Sequence, residues 1–290
     1  MSQTAVAIIQ ARMASSRLPG KVLMDIEGVP MLGRVYQRTR RARIPKNVIV
    51  ATSTESSDDS IVDYCRLAGI PCSRGSHYDV LDRYHAAARE TGADIVIRIT
   101  ADCPLMDPAL IDTCIGVMLG EAGAREPSLS LGGPSFPDFD FVATRLPPPW
   151  KRTYPIGLDI EVCTWEALEQ AWREARVPED REHVMPYLYR GVNLGEGAGQ
   201  VSTGISDHGL RIAILSCDED LGSQRWTVDT HADLELVRRI YGAFGTSEEF
   251  SWLDVLRLLR SRPDLVAINA GTKHKTLGDV DARAAEGGPR

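Results

Sequence analysis

Three short runs rich in β-branched residues, AVAII (5–9), VIVA (48–51) and IVIRI (95–99), are apolar at nearly every position and are separated by stretches of helical period. Strands of that kind, without polar alternation, are buried on both faces, as in a parallel sheet covered by helices. The first interval holds VPMLGRVYQRTRRA, whose apolar residues at 31, 32, 35 and 36 predict an amphipathic helix with a basic outer face. The second predicts a helix near 58–68, a strand at 70–73 and a helix near 80–91. Past Asp102, DPALIDTCIGVML predicts a further helix with Asp107 as N-cap and Pro108 in its first turn. This alternation commits the first half to an α/β fold.

The texture changes at 126–150, which is rich in proline and predicts loop with a strand at 139–143. A strand at 158–163, helices at 165–176 and from 178 to 190, and a hairpin over 205–216 turning at Asp207-His208-Gly209 follow. Helices are expected at 232–243 and 252–260, and a disordered tail over 271–290. No repeat interrupts this order, so a single domain is expected over 1–270, its halves meeting near 125. The run RTRRAR (38–43) reads as a solvated helix face.

A net charge of −7 argues against nucleic-acid binding, which draws its affinity from a basic surface. Any phosphate chemistry must then use a local basic site. The six cysteines form no C-x-x-C pair and no zinc spacing, and read as reduced thiols. No apolar run approaches a membrane span or a signal core, so a cytoplasmic protein without membrane partners is expected.

The stretch QARMASSRLPGKVL (10–23) follows the first strand, where open α/β sheets bind ligands beyond their carboxyl ends. It is neither a Walker A loop nor G-x-G-x-x-G. It offers small hydroxyls from Ser15 and Ser16 and three cations, Arg12, Arg17 and Lys21, the residue types that hold phosphate oxygens. Asp102 ends the strand IVIRIT at its carboxyl edge, where a metal ligand belongs.

IIQARMASSRLPGKVLMDIEGVPML resembles the signature loop of the cytidylyltransferases that make CMP-activated sugars: CMP-Kdo synthetase, acylneuraminate cytidylyltransferase and, more closely, the spore-coat polysaccharide biosynthesis protein F group. VIVATSTESSDD, RGSHYDVLDRYHAAA, ADIVIRITADCPLMDP, YPIGLDIEV, DREHVMPYLY and RWTVDTHADLELV are similar to that group in the same order, covering roughly residues 1–245. The resemblance implies a Rossmann-like, GT-A-type nucleotidyltransferase fold with a mostly parallel mixed sheet and a smaller acceptor and dimerisation lobe. On that basis 1–125 is the nucleotide-binding half and 126–270 the acceptor half, in a homodimer.

The implied reaction is attack of an acceptor oxygen on the α-phosphorus of CTP, releasing pyrophosphate, with Mg²⁺ as cofactor. By resemblance Arg12 and Lys21 hold phosphates with Arg17 nearby, and Asp229 joins Asp102 as the second metal carboxylate. Gln10, Ala11, Ser15 and Ser16 complete the loop. The base is expected against Ala51, Thr52 and Ser53 and against Arg74 and Gly75, with Asp79 and Arg83 organising the pocket. A small-molecule acceptor, either a sugar acid or a phosphate- or phosphonate-bearing compound, is expected against Tyr154, Gly157, Asp159, Glu161, Arg181 and His183. Asp159 and Glu161 share a face if 158–163 is a strand. Two other readings stay open: a GT-A glycosyltransferase using a nucleotide sugar, and a nucleotide-binding module without catalysis. The first normally wants a D-x-D pair, whereas Asp102 is followed by Cys103 and Pro104.

Overall fold

The first apolar run becomes β1 (Ala5–Gln10), and its residues from Ala5 to Ile9 are at most 3% exposed. Ala5, Ala7 and Ile9 enter one apolar layer, Val6 and Ile8 the other, which is why this strand carries no polar alternation. The structure is a computed structural model that describes residues 3–120, 138–196, 200–245 and 248–272. The expected tail lies almost wholly outside the described residues, as does most of the 126–138 stretch.

A loop and a small hairpin, β2 (Asp25–Ile26) and β3 (Val29–Pro30), lead into α1 (Met31–Arg40). β4 (Asn47–Ser53), α2 (Asp59–Ala68), β5 (Cys72–Gly75), α3 (Val80–Thr91), β6 (Ile95–Thr100) and α4 (Pro108–Met118) follow. The second half contains β7 (Phe141–Ala143), β8 (Glu161–Thr164), α5 (Trp165–Glu174), α6 (Pro178–His183) and α7 (Pro186–Tyr189). It continues with β9 (Gly195–Glu196), β10 (Val201–Ile205), β11 (Arg211–Leu215), α8 (His231–Phe244), α9 (Trp252–Ser261) and α10 (Pro263–Ala267).

One mixed sheet runs β5-β4-β1-β6-β8-β7-β11-β10-β9. β5, β4, β1 and β6 are parallel, β8 is antiparallel to β6 and to β7, and β7 pairs parallel with β11. Residues of α1, α2, α4, α8 and α9 fill the layer on one face; those of α3, α5 and α7 fill the other. The expected alternation and N-cap hold: Asp107 accepts a hydrogen bond from Leu110 N at 3.0 Å at the start of α4.

Some expectations are corrected. The basic run is not a solvated face at its start, because Arg38 is 0% exposed. Its guanidinium donates to Met106 O at 2.7 Å and Phe250 O at 3.0 Å and lies 4.1 Å over the Phe250 ring, so carbonyls replace water. The helix from 178 to 190 breaks at Val184, whose φ is 73°, giving α6 and α7. β5 begins two residues later than expected, since Ile70 N donates to Cys65 O at the end of α2 and Pro71 has no N–H to give a strand ladder. β8 begins at Glu161, leaving Asp159 ahead of it.

Candidate active site

Gln10 ends β1, and the loop that follows is fixed by its own backbone. Gly20 N donates to Met13 O at 2.9 Å, and Met13 N donates to Asp58 Oδ1 at 2.7 Å, tying the loop to the turn after β4. Gly20 adopts φ 72°, which a side chain would strain, and so turns the chain into Lys21. Leu18, 1% exposed, plugs the loop into the core and leaves Arg12, Ser15, Ser16 and Arg17 lining a cavity of about 590 Å³.

Lys21 is 8% exposed at the cavity floor. Its Nζ lies 2.8 Å from Asp102 Oδ2, 2.8 Å from Asp229 Oδ1 and 2.8 Å from Val228 O. Burial works against the ammonium, but the two carboxylates outweigh it and raise the lysine above its ordinary pKa. Asp229 Oδ2 also meets Arg17 at 2.7 Å and Arg225 at 2.5 Å. Burial favours its neutral acid; Lys21 first, then Arg17 and Arg225, override this and draw the carboxyl down to about 2.

Two aspartates so far apart in sequence converge because their backbones are joined. Val228 N donates to Asp102 O at 2.8 Å, and Thr227 Oγ1 donates to the same oxygen at 3.0 Å. The segment carrying them is held in turn by Gly157: at φ 110° it lies so close that a Cβ would sit 2.7 Å from Thr227 N. Capping of α8 falls to Thr230 with Asp233, and the Asp229 side chain faces Lys21 instead.

The sequence-predicted residues divide into groups. Gln10, Arg12, Ser15, Ser16, Arg17, Lys21, Asp102 and Asp229 share the cavity, and His183 lines its far side. Ala11 lies beneath the loop, its N–H donating to Ala51 O at 3.1 Å. Ala51, Thr52, Ser53, Arg74, Gly75, Asp79 and Arg83 form a second group around the carboxyl ends of β4 and β5, outside the cavity lining. There Arg74 Nε donates to Ser53 O at 2.9 Å, and Arg83, 1% exposed, donates to Ser76 O at 2.6 Å. Asp79 caps α3 and binds Arg181 Nη2 at 2.5 Å, so these two residues meet each other.

Tyr154 is 5% exposed and packs edge-on against Trp252. Glu161 pairs with Arg98, whereas Asp159 pairs with Arg152 and lies 3.5 Å from Arg145 Nε. Arg145, Arg152, Trp150 and Glu182, which sequence reasoning missed, line the cavity opposite the loop. The sequence signal for Arg145 and Arg152 was cations on either side of the Pro147–Pro149 run, and Glu182 lies beside Arg181 in DREHVMPYLY.

The donor chemistry suits a hard divalent cation. Two carboxylates that reach one ammonium are close enough to share one cation, and both are oxygen donors. Among the described residues no group of three His, Cys, Asp or Glu could hold a metal by itself, and no helix is long and apolar enough to cross a membrane. The remaining ligands would be phosphate oxygens and waters, the usual arrangement for Mg²⁺ with a nucleotide.

A strand-end loop of cations facing two aspartates, on a Rossmann-like sheet, defines a nucleotidyltransferase. The cytidylyltransferase family model matches residues 6–196, and the chain belongs to that family. It is 30% identical over 278 residues to an uncharacterised protein of Methanocaldococcus jannaschii, covering 95% of this chain and 98% of that one. It is 26% identical over 264 residues to the spore coat polysaccharide biosynthesis protein SpsF of Bacillus subtilis, covering 89% and 94%. A solved cytidylyltransferase from Leptospira borgpetersenii superposes with a TM-score of 0.75 at 27% identity, covering 94% of this chain and 99% of that one.

Proposed function

We propose that the protein transfers CMP from CTP to a small acceptor bearing an anionic group, with release of pyrophosphate. The observation that carries this reading is the arrangement of one cavity. Arg12, Arg17 and the Asp-held Lys21 form one wall; Arg145, Arg152, Trp150 and His183 form the other. A triphosphate on the first wall meets fixed cations, and an acceptor on the second meets two guanidinium groups that suit a carboxylate, phosphate or phosphonate.

In the transfer, an acceptor oxygen bonds to the α-phosphorus as the bond to pyrophosphate breaks. Catalysis of this kind is mostly positioning and charge neutralisation. Arg12 and Lys21 neutralise phosphate oxygens, while Asp102 and Asp229 hold Lys21 in place. Asp159 sets the two acceptor-side arginines, and Trp150 supplies an apolar surface beside them. Asp102 and Asp229 would hold Mg²⁺, which when bound supplies charge neutralisation at the phosphates. The Asp102 side chain is the more open of the two, 27% exposed against 17%. The ribose and base extend from the loop toward Ala51–Ser53 and Arg74.

Pyrophosphate release measured with each of the four nucleoside triphosphates, against panels of sugar acids, sugar phosphates and phosphonates, tests the reading. Release from CTP with one anionic acceptor class is expected. Silence with every pair, or a clear preference for another triphosphate, would overturn it.

A further inference from the structure

Beneath Asp229 lies a buried polar cluster that does not face the cavity. Arg225, 6% exposed, places Nη2 2.5 Å from Asp229 Oδ2 and Nε 2.9 Å from Asp233 Oδ1. Asp233 is 0% exposed and accepts from the backbone N–H groups of Asp229 and Thr230 at 3.0 and 2.9 Å. Asn269, just past α10, donates Nδ2 to Asp233 Oδ1 at 2.9 Å and to Arg225 O at 3.0 Å. The C-terminal segment thus reaches, through two side chains, a carboxylate in the candidate site.

We propose that Arg225 is a positioning residue for Asp229, and that Asp233 and Asn269 position Arg225. A carboxylate on the short segment before a helix can turn about its side-chain torsions. A charge-assisted bond from below to Oδ2 leaves Oδ1 directed at Lys21 and the cavity. Only a guanidinium, with donors spread over a rigid fork, grips Asp229 and Asp233 together; a lysine ammonium is a single point charge. The amide of Asn269 closes the set by occupying Asp233 Oδ1 and the Arg225 carbonyl. The inference rests on the reading of Asp229 as part of the cation–triphosphate site, and it extends that site to residues beyond the segment matched by the family model.

Two measurements on Arg225→Met, Arg225→Lys and Asn269→Ala test it. The first is Mn²⁺ affinity in the presence of CTP, read by water-proton relaxation. Loss of a partner that orients a ligand should weaken it about tenfold in Arg225→Met. Asn269→Ala, which removes neutral hydrogen bonds, should weaken it about threefold. Arg225→Lys should fall between wild type and Arg225→Met. The second is the rate at which acetic anhydride modifies Lys21 without nucleotide, read by peptide mass spectrometry. It should rise in Arg225→Met and Asn269→Ala, because a displaced Asp229 releases the ammonium.

Unchanged Mn²⁺ affinity and unchanged Lys21 acetylation in folded variants would overturn the proposal, whatever the melting temperatures do. If Arg225→Met fails to fold, Asn269→Ala decides by the same two readings. If wild type shows no CTP-dependent Mn²⁺ binding while Lys21 acetylation follows the expected order, the proposed function fails and the positioning role stands.

Discussion

The two walls of the cavity are built by different means. The loop wall hangs from the end of a parallel strand buried from Ala5 to Ile9, and its turns are closed by backbone hydrogen bonds such as Gly20 N to Met13 O. The opposite wall comes from an irregular, proline-rich stretch and the C-terminal end of α6, with ion pairs of Asp159 to Arg152 and Arg145 holding the first. Backbone-fixed geometry suits a ligand part that never varies, which under the proposed function is the triphosphate. Side-chain ion pairs can be rewritten without disturbing the sheet, which under the proposed function suits the acceptor.

The sharpest way to break this contrast is Lys21→Ala. It removes a preorganised cation and leaves Asp102 and Asp229 facing each other, so turnover should fall by about 10²–10³-fold. Steady-state pyrophosphate release checks this, and near-normal turnover would show that the loop wall is not the phosphate wall.

Next in size is the acid limb of stability. Asp229 titrates near 2 in the folded protein against an ordinary 3.8. A depressed folded value stabilises fully above about pH 4 and loses that stabilisation as pH falls through about 2, roughly 2–3 kcal/mol in all. Acid unfolding of Asp229→Asn, followed by circular dichroism, should lack this component; parallel acid limbs in variant and wild type would refute the cage of cations around Asp229.

The smallest effect separates the walls directly. Asp159→Ala leaves the loop untouched but unseats Arg145 and Arg152, so the acceptor KM should rise about tenfold with the KM for CTP unchanged. A matching rise in both would mean that the two walls act as one.

The same contrast explains what could be read from sequence. Arg12, Ser15, Ser16, Arg17 and Lys21 lie within one short stretch after an unmistakable strand, so their chemistry was contiguous and their position followed from the sheet. Asp102 was legible as a strand end. Arg145 and Arg152 were not, because no period governs a proline-rich segment, and Glu182 was passed over between Arg181 and His183 because its place in the cavity depends on where α6 sits. Asp159 and Glu161, two residues apart, took different partners once the strand began only at Glu161. Arg38 misled because charge suggests solvent, whereas a guanidinium satisfied by carbonyls is stable inside. Arg225 opens the RWTVDTHADLELV segment but its role was not legible there, and Asn269 gave no signal, since both roles rest on contacts across the last third of the chain.

The ammonium of Lys21 joins residues 81 and 208 positions away. Contacts of such separation are among the slowest to close during folding, because the intervening chain must first be ordered. Until the segment around Asp229 docks against Gly157 and the end of β6, Lys21 lacks two of its three partners, Val228 O and Asp229. The cage around Lys21 is therefore expected to close late, so that under the proposed function nucleotide binding would report that the C-terminal third has folded into place.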